Sequence, residues 1–78
     1  MNLAPMGYLR NQELLERIGL LIKQIRIEQR ITQEDFYNDT NIHIGRIETG
    51  KANMTISTLE AVCKYFKTDL KTFFSKLN

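Results

Sequence analysis

The apolar residues of this chain recur at the spacing of a helix, and this periodicity restricts the fold more than any other feature. Between residues 12 and 29 hydrophobic side chains stand three or four positions apart, so they share one helical face. They are Leu14, Leu15, Ile18, Leu21, Ile22 and Ile25. A second stripe of this kind comprises Leu59, Val62, Cys63 and Phe66. Because no segment alternates apolar and polar residues as a half-buried strand does, we predict an all-α fold.

Capping residues divide the chain into five predicted helices, because Ser, Thr, Asp and Asn side chains satisfy the free N–H groups of a first turn. The candidate caps are Asn11 for the first helix, Thr32 with Asp35 for the second, Ser57 with Glu60 for the fourth and Asp69 for the fifth. Residues 38–41 read Asn-Asp-Thr-Asn, which is typical of a turn. We therefore expect a short second helix and a third over residues 41–48, capped by Thr40 or Asn41. Gly50 fits a left-handed stop after it.

The length of 78 residues predicts one domain with a modest core, and self-association is a reasonable expectation for so thin a core. Residues 1–10 lack a period and contain Pro5 and Gly7, so we interpret them as an N-terminal tail or arm and residues 11–78 as the domain. No secretory signal and no apolar run of membrane-spanning length is visible, which favours a cytoplasmic protein without a membrane partner.

The composition gives no support for an enzyme. Cys63 is the only cysteine and His43 the only histidine, so neither an intrachain disulfide nor a metal site is indicated. No catalytic constellation, phosphate-binding loop or cofactor motif is present. Cys63 lies on an apolar stripe and is expected in the core. The net charge of +2 permits a nucleic-acid partner without requiring one.

The segment from Thr32 to Gly50 carries the functional signal. Two short helices joined by a tight turn form a helix-turn-helix unit, in which the second helix enters the major groove of double-stranded DNA. Ile44 and Ile47 stand three apart and should face inward. The side chains left for the outer face, and assigned to base reading, are Asn41, Ile42, His43 and Arg46. Arg suits guanine, Asn suits adenine, and Ile can pack on the thymine methyl group.

These residues resemble the Xre/Cro-repressor family of helix-turn-helix domains. The resemblance covers residues 12–76 and rests on the Thr32-Gln33-Glu34 and Arg46-Ile47-Glu48-Thr49-Gly50-Lys51 segments together. It implies a five-helix fold resembling that of lambda repressor. It also implies contacts with the DNA backbone by Gln33, Thr49, Lys51 and Asn53, and a structural ion pair between Arg26 and Glu48. The stretch between Gln33 and Glu48 is a few residues shorter than is usual in the family, and we expect the second helix to be shortened at its C-terminal end.

The function that follows is sequence-specific regulation of transcription, with the protein acting as a repressor and a homodimer on a two-fold site. One of the adjacent Phe73 and Phe74 must point away from the core, which makes the last helix a candidate for the dimer interface. The N-terminal arm is a second candidate. The alternative is an antitoxin-like or accessory module that uses the same fold to bind a protein. Arg46→Ala separates the two, because only the first function depends on it.

Overall fold

A computed structural model describes residues 9–77 of the chain. Five helices follow one another in this part: α1 (Gln12–Glu28), α2 (Gln33–Thr40), α3 (Ile44–Glu48), α4 (Ile56–Tyr65) and α5 (Leu70–Ser75). No strand occurs among the described residues, so the all-α prediction is confirmed. The predicted arm lies outside the described residues except for Leu9 and Arg10. None of the described helices is long and apolar enough to cross a membrane.

Three of the five predicted caps act as expected. Asn11, Thr32 and Asp69 adopt extended backbone, and each side chain accepts a hydrogen bond from the N–H group three residues later. The prediction for α4 is wrong by two residues. Thr55 is the cap, since its hydroxyl accepts from the Thr58 N–H at 3.1 Å. Ser57 and Glu60 therefore lie within α4, where both are exposed.

The boundary between α2 and α3 differs from the prediction, because the turn-like residues 38–40 remain helical. The Thr40 hydroxyl donates to the carbonyl of Phe36 at 2.8 Å, and Asn41 then ends α2 in the left-handed region with a φ of 60°. Asn41 is thus the C-cap of α2 and does not begin α3, which starts at Ile44 after His43. The shortening expected at the end of α2 falls instead on α3, which has five residues.

The core draws side chains from all five helices. Its fully buried members are Phe36, Phe73, Ile22, Ile44, Val62 and Cys63. The second predicted stripe is buried throughout, whereas in the first stripe Leu14, Leu21 and Ile25 are only half-buried against the core. Phe36 stacks on Phe66 with ring centroids 5.5 Å apart, which joins α2 to the end of α4. Phe73 is buried while Phe74 is 40% exposed, as the adjacent pair required.

Gly19 allows α1 to lie directly against α3. A Cβ atom at this position would stand 2.3 Å from the carbonyl oxygen of Ile47 and 2.7 Å from that of Glu48. Neither oxygen can rotate away, because both belong to the backbone. Glycine inside α1 costs about 1 kcal/mol of helix propensity relative to alanine. At this position it allows the backbones of α1 and α3 to come into contact.

Candidate nucleic-acid interface

An open groove of about 460 Å³ runs between α2 and α3. It brings together five of the eight residues predicted to contact DNA: Gln33, His43, Arg46, Thr49 and Lys51. All five are exposed. Ile44 and Ile47 turn to the opposite side of α3 and are 1% and 3% exposed, so burial of the inner face fixes which face is presented to solvent.

The other three predicted residues lie elsewhere. Asn41 and Ile42 precede α3, and Ile42 is half-buried against the core. The Asn53 amide donates to the carbonyl of Leu9 at 3.4 Å, and its side chain lines a separate apolar groove beside α1 and α4. The exposed surface of α3 is therefore smaller than the sequence suggested, because the helix begins three residues later than predicted.

Arg26 and Glu48 form the ion pair that the resemblance implied. The Arg26 Nε atom donates to Glu48 Oε2 at 2.6 Å, and the Arg26 Nη2 atom donates to Glu48 Oε1 at 3.0 Å. The two side chains are only 11% and 2% exposed. Hydrogen bonding to Glu48 raises the pKa of Arg26 above its ordinary value. Arg26 also donates to the Ile31 carbonyl at 2.9 Å. It therefore joins α1 both to α3 and to the residues just before α2.

Gln33 joins this network from the groove between α2 and α3. Its amide nitrogen donates to Glu48 Oε1 at 3.0 Å, so one carboxylate oxygen accepts from both Arg26 and Gln33. The Gln33 side chain also passes close to Gly45, where a Cβ atom would lie 3.2 Å from its oxygen. Gln33 is exposed nonetheless. It is therefore held in place by a buried ion pair while its position at the first turn of α2 remains open to a partner.

The loop after α3 has a fixed backbone. Gly50 adopts a φ of 74°, and the Gly50 and Lys51 N–H groups donate to the carbonyls of Ile47 and Arg46. This is the Schellman arrangement that ends a helix on a left-handed residue, so the predicted stop at Gly50 is confirmed. The Thr49 hydroxyl donates back to the Gly45 carbonyl at 3.0 Å. Lys51 thus projects from a defined turn.

Sequence reasoning missed two residues that hold this loop. The Arg10 guanidinium donates to the carbonyls of Gly50 at 2.7 Å and Lys51 at 2.9 Å, and the Gln12 amide donates to the Gly50 carbonyl at 3.1 Å. These partners lie about forty positions apart in the chain, and no local pattern signals such a contact. The start of the domain therefore supports the loop that carries Lys51.

Tyr37 is a further residue of the groove that base-reading rules did not select. Its ring lies 4.6 Å from the ring of His43 at an interplanar angle of 32°, and the residue is 40% exposed. Its position one helical turn after Gln33 was the available signal, since the two residues share a face of α2.

The acidic residue Asp39, also on α2, accepts a hydrogen bond from the Tyr65 hydroxyl at 2.6 Å.

The groove has the chemistry of a nucleic-acid surface. Arg46 supplies a forked donor for a base edge, Lys51 supplies a positive charge for phosphate, and Gln33 and Thr49 supply neutral polar groups. No cluster of three His, Cys, Asp or Glu side chains that could hold a metal ion occurs within residues 9–77.

Comparisons with a family model and with solved structures both find DNA-binding proteins. Residues 22–75 match the family model described as the Cro/C1-type HTH DNA-binding domain. The fold is similar to the crystal structure of the restriction-modification controller protein C.Esp1396I, a tetramer in complex with its natural 35-base-pair operator. The TM-score is 0.73 at 34% sequence identity, covering 83% of this chain and 90% of that one. No curated protein matches the chain.

Proposed function

The chain belongs to the Cro/C1-type helix-turn-helix family and is a sequence-specific DNA-binding regulator, and we propose that it represses transcription as an operator-bound dimer. The observation that carries this proposal is the shared groove of Gln33, His43, Arg46, Thr49 and Lys51. Phosphate-binding and base-reading side chains on one exposed surface are what a major-groove reader requires. Occupation of a promoter by such a domain blocks polymerase without any further activity.

In the proposed complex α3 lies in the major groove with His43 and Arg46 against base edges. Arg46 is exposed on the outer face of α3, where its guanidinium can donate two hydrogen bonds to guanine O6 and N7. Gln33, Thr49 and Lys51 contact phosphates on either side. Asn41 is exposed at the edge of this surface, whereas half-buried Ile42 serves mainly to pack the turn against the core.

Dimerisation is proposed to use the apolar groove formed by α1, α4 and α5. Phe74 and Ile56 line it and are 40% and 61% exposed, while Leu14, Leu15, Ile18 and Leu59 form its floor. Covering such side chains is worth roughly 25 cal/mol per Å² of apolar surface. A two-fold dimer of this kind would read two half-sites about 34 Å apart. The oligomeric state of the DNA-bound neighbour is consistent with self-association of the fold.

The test is selection of bound duplexes from a randomised pool, followed by affinity measurement on the selected duplex over a salt series. We expect an inverted repeat and a specificity of at least 10³-fold over random DNA, the lower end of the usual range. Arg46→Ala should cost about 1–3 kcal/mol and relax preference at one base pair per half-site. Lys51→Ala should weaken binding to all duplexes and reduce the salt slope by about 1.

Arg17→Ala is the matched control, because it removes the same charge from an exposed position on α1 outside the groove. It should leave the selected sequence unchanged. Phe74→Glu should shift the sedimentation equilibrium toward monomer and weaken binding to the paired site more than to a single half-site. If the wild-type protein selects no sequence, or if Arg46→Ala binds the selected duplex as well as wild type, the DNA-reading proposal fails and the protein-binding alternative takes its place.

A further inference from the structure

We propose that Tyr37 is a specificity-determining residue, whose ring contacts a thymine methyl group in the major groove beside the bases read from α3. This inference rests on the proposed function, since it extends the same DNA-reading surface. It concerns a residue of α2, the helix to which the sequence assigned only a phosphate contact through Gln33.

The length of α3 leaves room for this contribution. Five residues at 1.5 Å each make a helix about 7.5 Å long, which is fewer than two turns. The outer face of so short a helix carries few side chains, and Arg46 is the only long one directed into the groove from α3. The rings of Tyr37 and His43 line the same groove of the protein next to the start of α3.

The two rings form one preorganised platform. Their centroids are 4.6 Å apart and their planes are inclined by 32°, so each restricts the rotation of the other. His43 immediately precedes α3 and makes no capping hydrogen bond through its side chain, and its ring lies in a tilted contact with that of Tyr37. A ring pair ordered before binding loses little side-chain entropy in the complex.

The chemistry of the platform selects its ligand. Gln33, Arg46 and Lys51 line the same groove and offer hydrogen-bond donors, while the Tyr37 ring is the large aromatic surface among them. In the major groove the one apolar group on a base edge is the C5-methyl group of thymine. Phe36, the residue before Tyr37, cannot make this contact because it is fully buried in the core. Glu34 of α2 also lines the groove, but its carboxylate is not an apolar surface.

The experiment compares the sequences selected from a randomised duplex pool by the wild type, Tyr37→Ala, Tyr37→Phe and Leu20→Ala. We expect Tyr37→Ala to lose a thymine preference at one position per half-site by about 5- to 150-fold, the range of a single mismatched base pair. Tyr37→Phe should keep that preference, because it keeps the ring. Leu20→Ala is the matched control, since Leu20 is an exposed apolar residue of α1 outside the groove.

A second comparison separates direct contact from positioning of His43. Tyr37→Ala should remove the thymine preference also when His43 is replaced by alanine. An unchanged base profile in Tyr37→Ala, or an effect that disappears in the His43→Ala background, overturns the proposal. Tyr37→Gln replaces Tyr37→Ala if the latter unfolds below the assay temperature. If the wild type shows no preference at any position, the proposed function itself fails, which is distinguishable from a wild-type profile that Tyr37 does not influence.

Discussion

Replacing Gly19 with alanine tests whether the close approach of α1 and α3 holds the DNA-reading helix in place. The added Cβ atom would lie 2.3 Å from the Ile47 carbonyl oxygen, well inside van der Waals contact. Because the Glu48 carbonyl oxygen stands at 2.7 Å from the same point, the atom cannot be accommodated by a sideways shift along α3. The two helices must separate by about 1 Å to admit an ordinary carbon–oxygen contact.

Two opposing contributions determine the magnitude. Alanine is favoured over glycine inside a helix by about 0.8–1 kcal/mol. Overpacking of a tight interior costs typically 1–3 kcal/mol and occasionally more. The obstacle here is backbone on both sides, so we take the upper end of that range and expect a net loss of about 2 kcal/mol. For a domain of this size that corresponds to a fall in Tm of roughly 8–16 °C.

Gly45→Ala is the matched control, because it makes the same chemical change in a helix of the same motif. Its Cβ atom would meet the Gln33 side-chain oxygen at 3.2 Å, and a flexible side chain can move by the few tenths of an ångström required. Thermal and urea unfolding of both variants should therefore show Gly19→Ala destabilised and Gly45→Ala within about 1 kcal/mol of wild type. Equal Tm values for the two variants, or a higher Tm for Gly19→Ala than for wild type, would refute the reasoning.

Two further predictions concern charged groups. Arg26→Met leaves the Glu48 carboxylate buried without its main partner and should lower the free energy of unfolding by about 3–5 kcal/mol. The control Arg17→Met changes an exposed residue and should stay within about 0.5 kcal/mol of wild type. If urea titrations show no larger loss for Arg26→Met than for the control, the ion pair does not stabilise the fold. The Asp69 carboxylate accepts from the Thr72 N–H, which lowers its pKa, so its contribution to stability is present above the ordinary Asp pKa and lost as pH falls through the lowered value. The Tm of Asp69→Ala should therefore be below that of wild type at pH 7 and converge with it in acid, and a gap in Tm that is independent of pH would contradict this.

Local rules predicted the parts of the fold that local contacts determine. Asn11, Thr32 and Asp69 cap helices because each side chain reaches an N–H group three residues away, and the sequence contains both partners. The choice between Thr55 and Ser57 shows the limit of this reasoning. Both hydroxyls have a plausible partner three residues later, and the capping-box rule favoured the pair with glutamate, although the structure uses Thr55.

The end of α2 could not be predicted because distant residues decide it. Asp39 and Thr40 favour a turn when their side chains bond to their own backbone. In the fold the Asp39 carboxylate instead accepts from the Tyr65 hydroxyl, and Phe36 packs against the rings of Tyr65 and Phe66. The family resemblance supplied the groove residues of α2 and α3, yet the brevity of α3 and the support from Arg10 depend on contacts that no local pattern encodes.

Because α3 is so short, substitutions that destabilise it and substitutions that change its contacts with bases should affect DNA binding in different ways. A helix of five residues is far below the length that is stable in isolation. Its conformation therefore depends on contacts outside itself: the packing of Gly19, the Arg26–Glu48 ion pair, and the burial of Ile44 and Ile47. Substitutions in these contacts change how often the reading surface is formed, so they should weaken binding to every sequence by the same factor. Substitutions of the side chains proposed to face the bases, His43 and Arg46, should change the ranking of sequences. This difference in readout distinguishes a residue that supports α3 from one that reads bases.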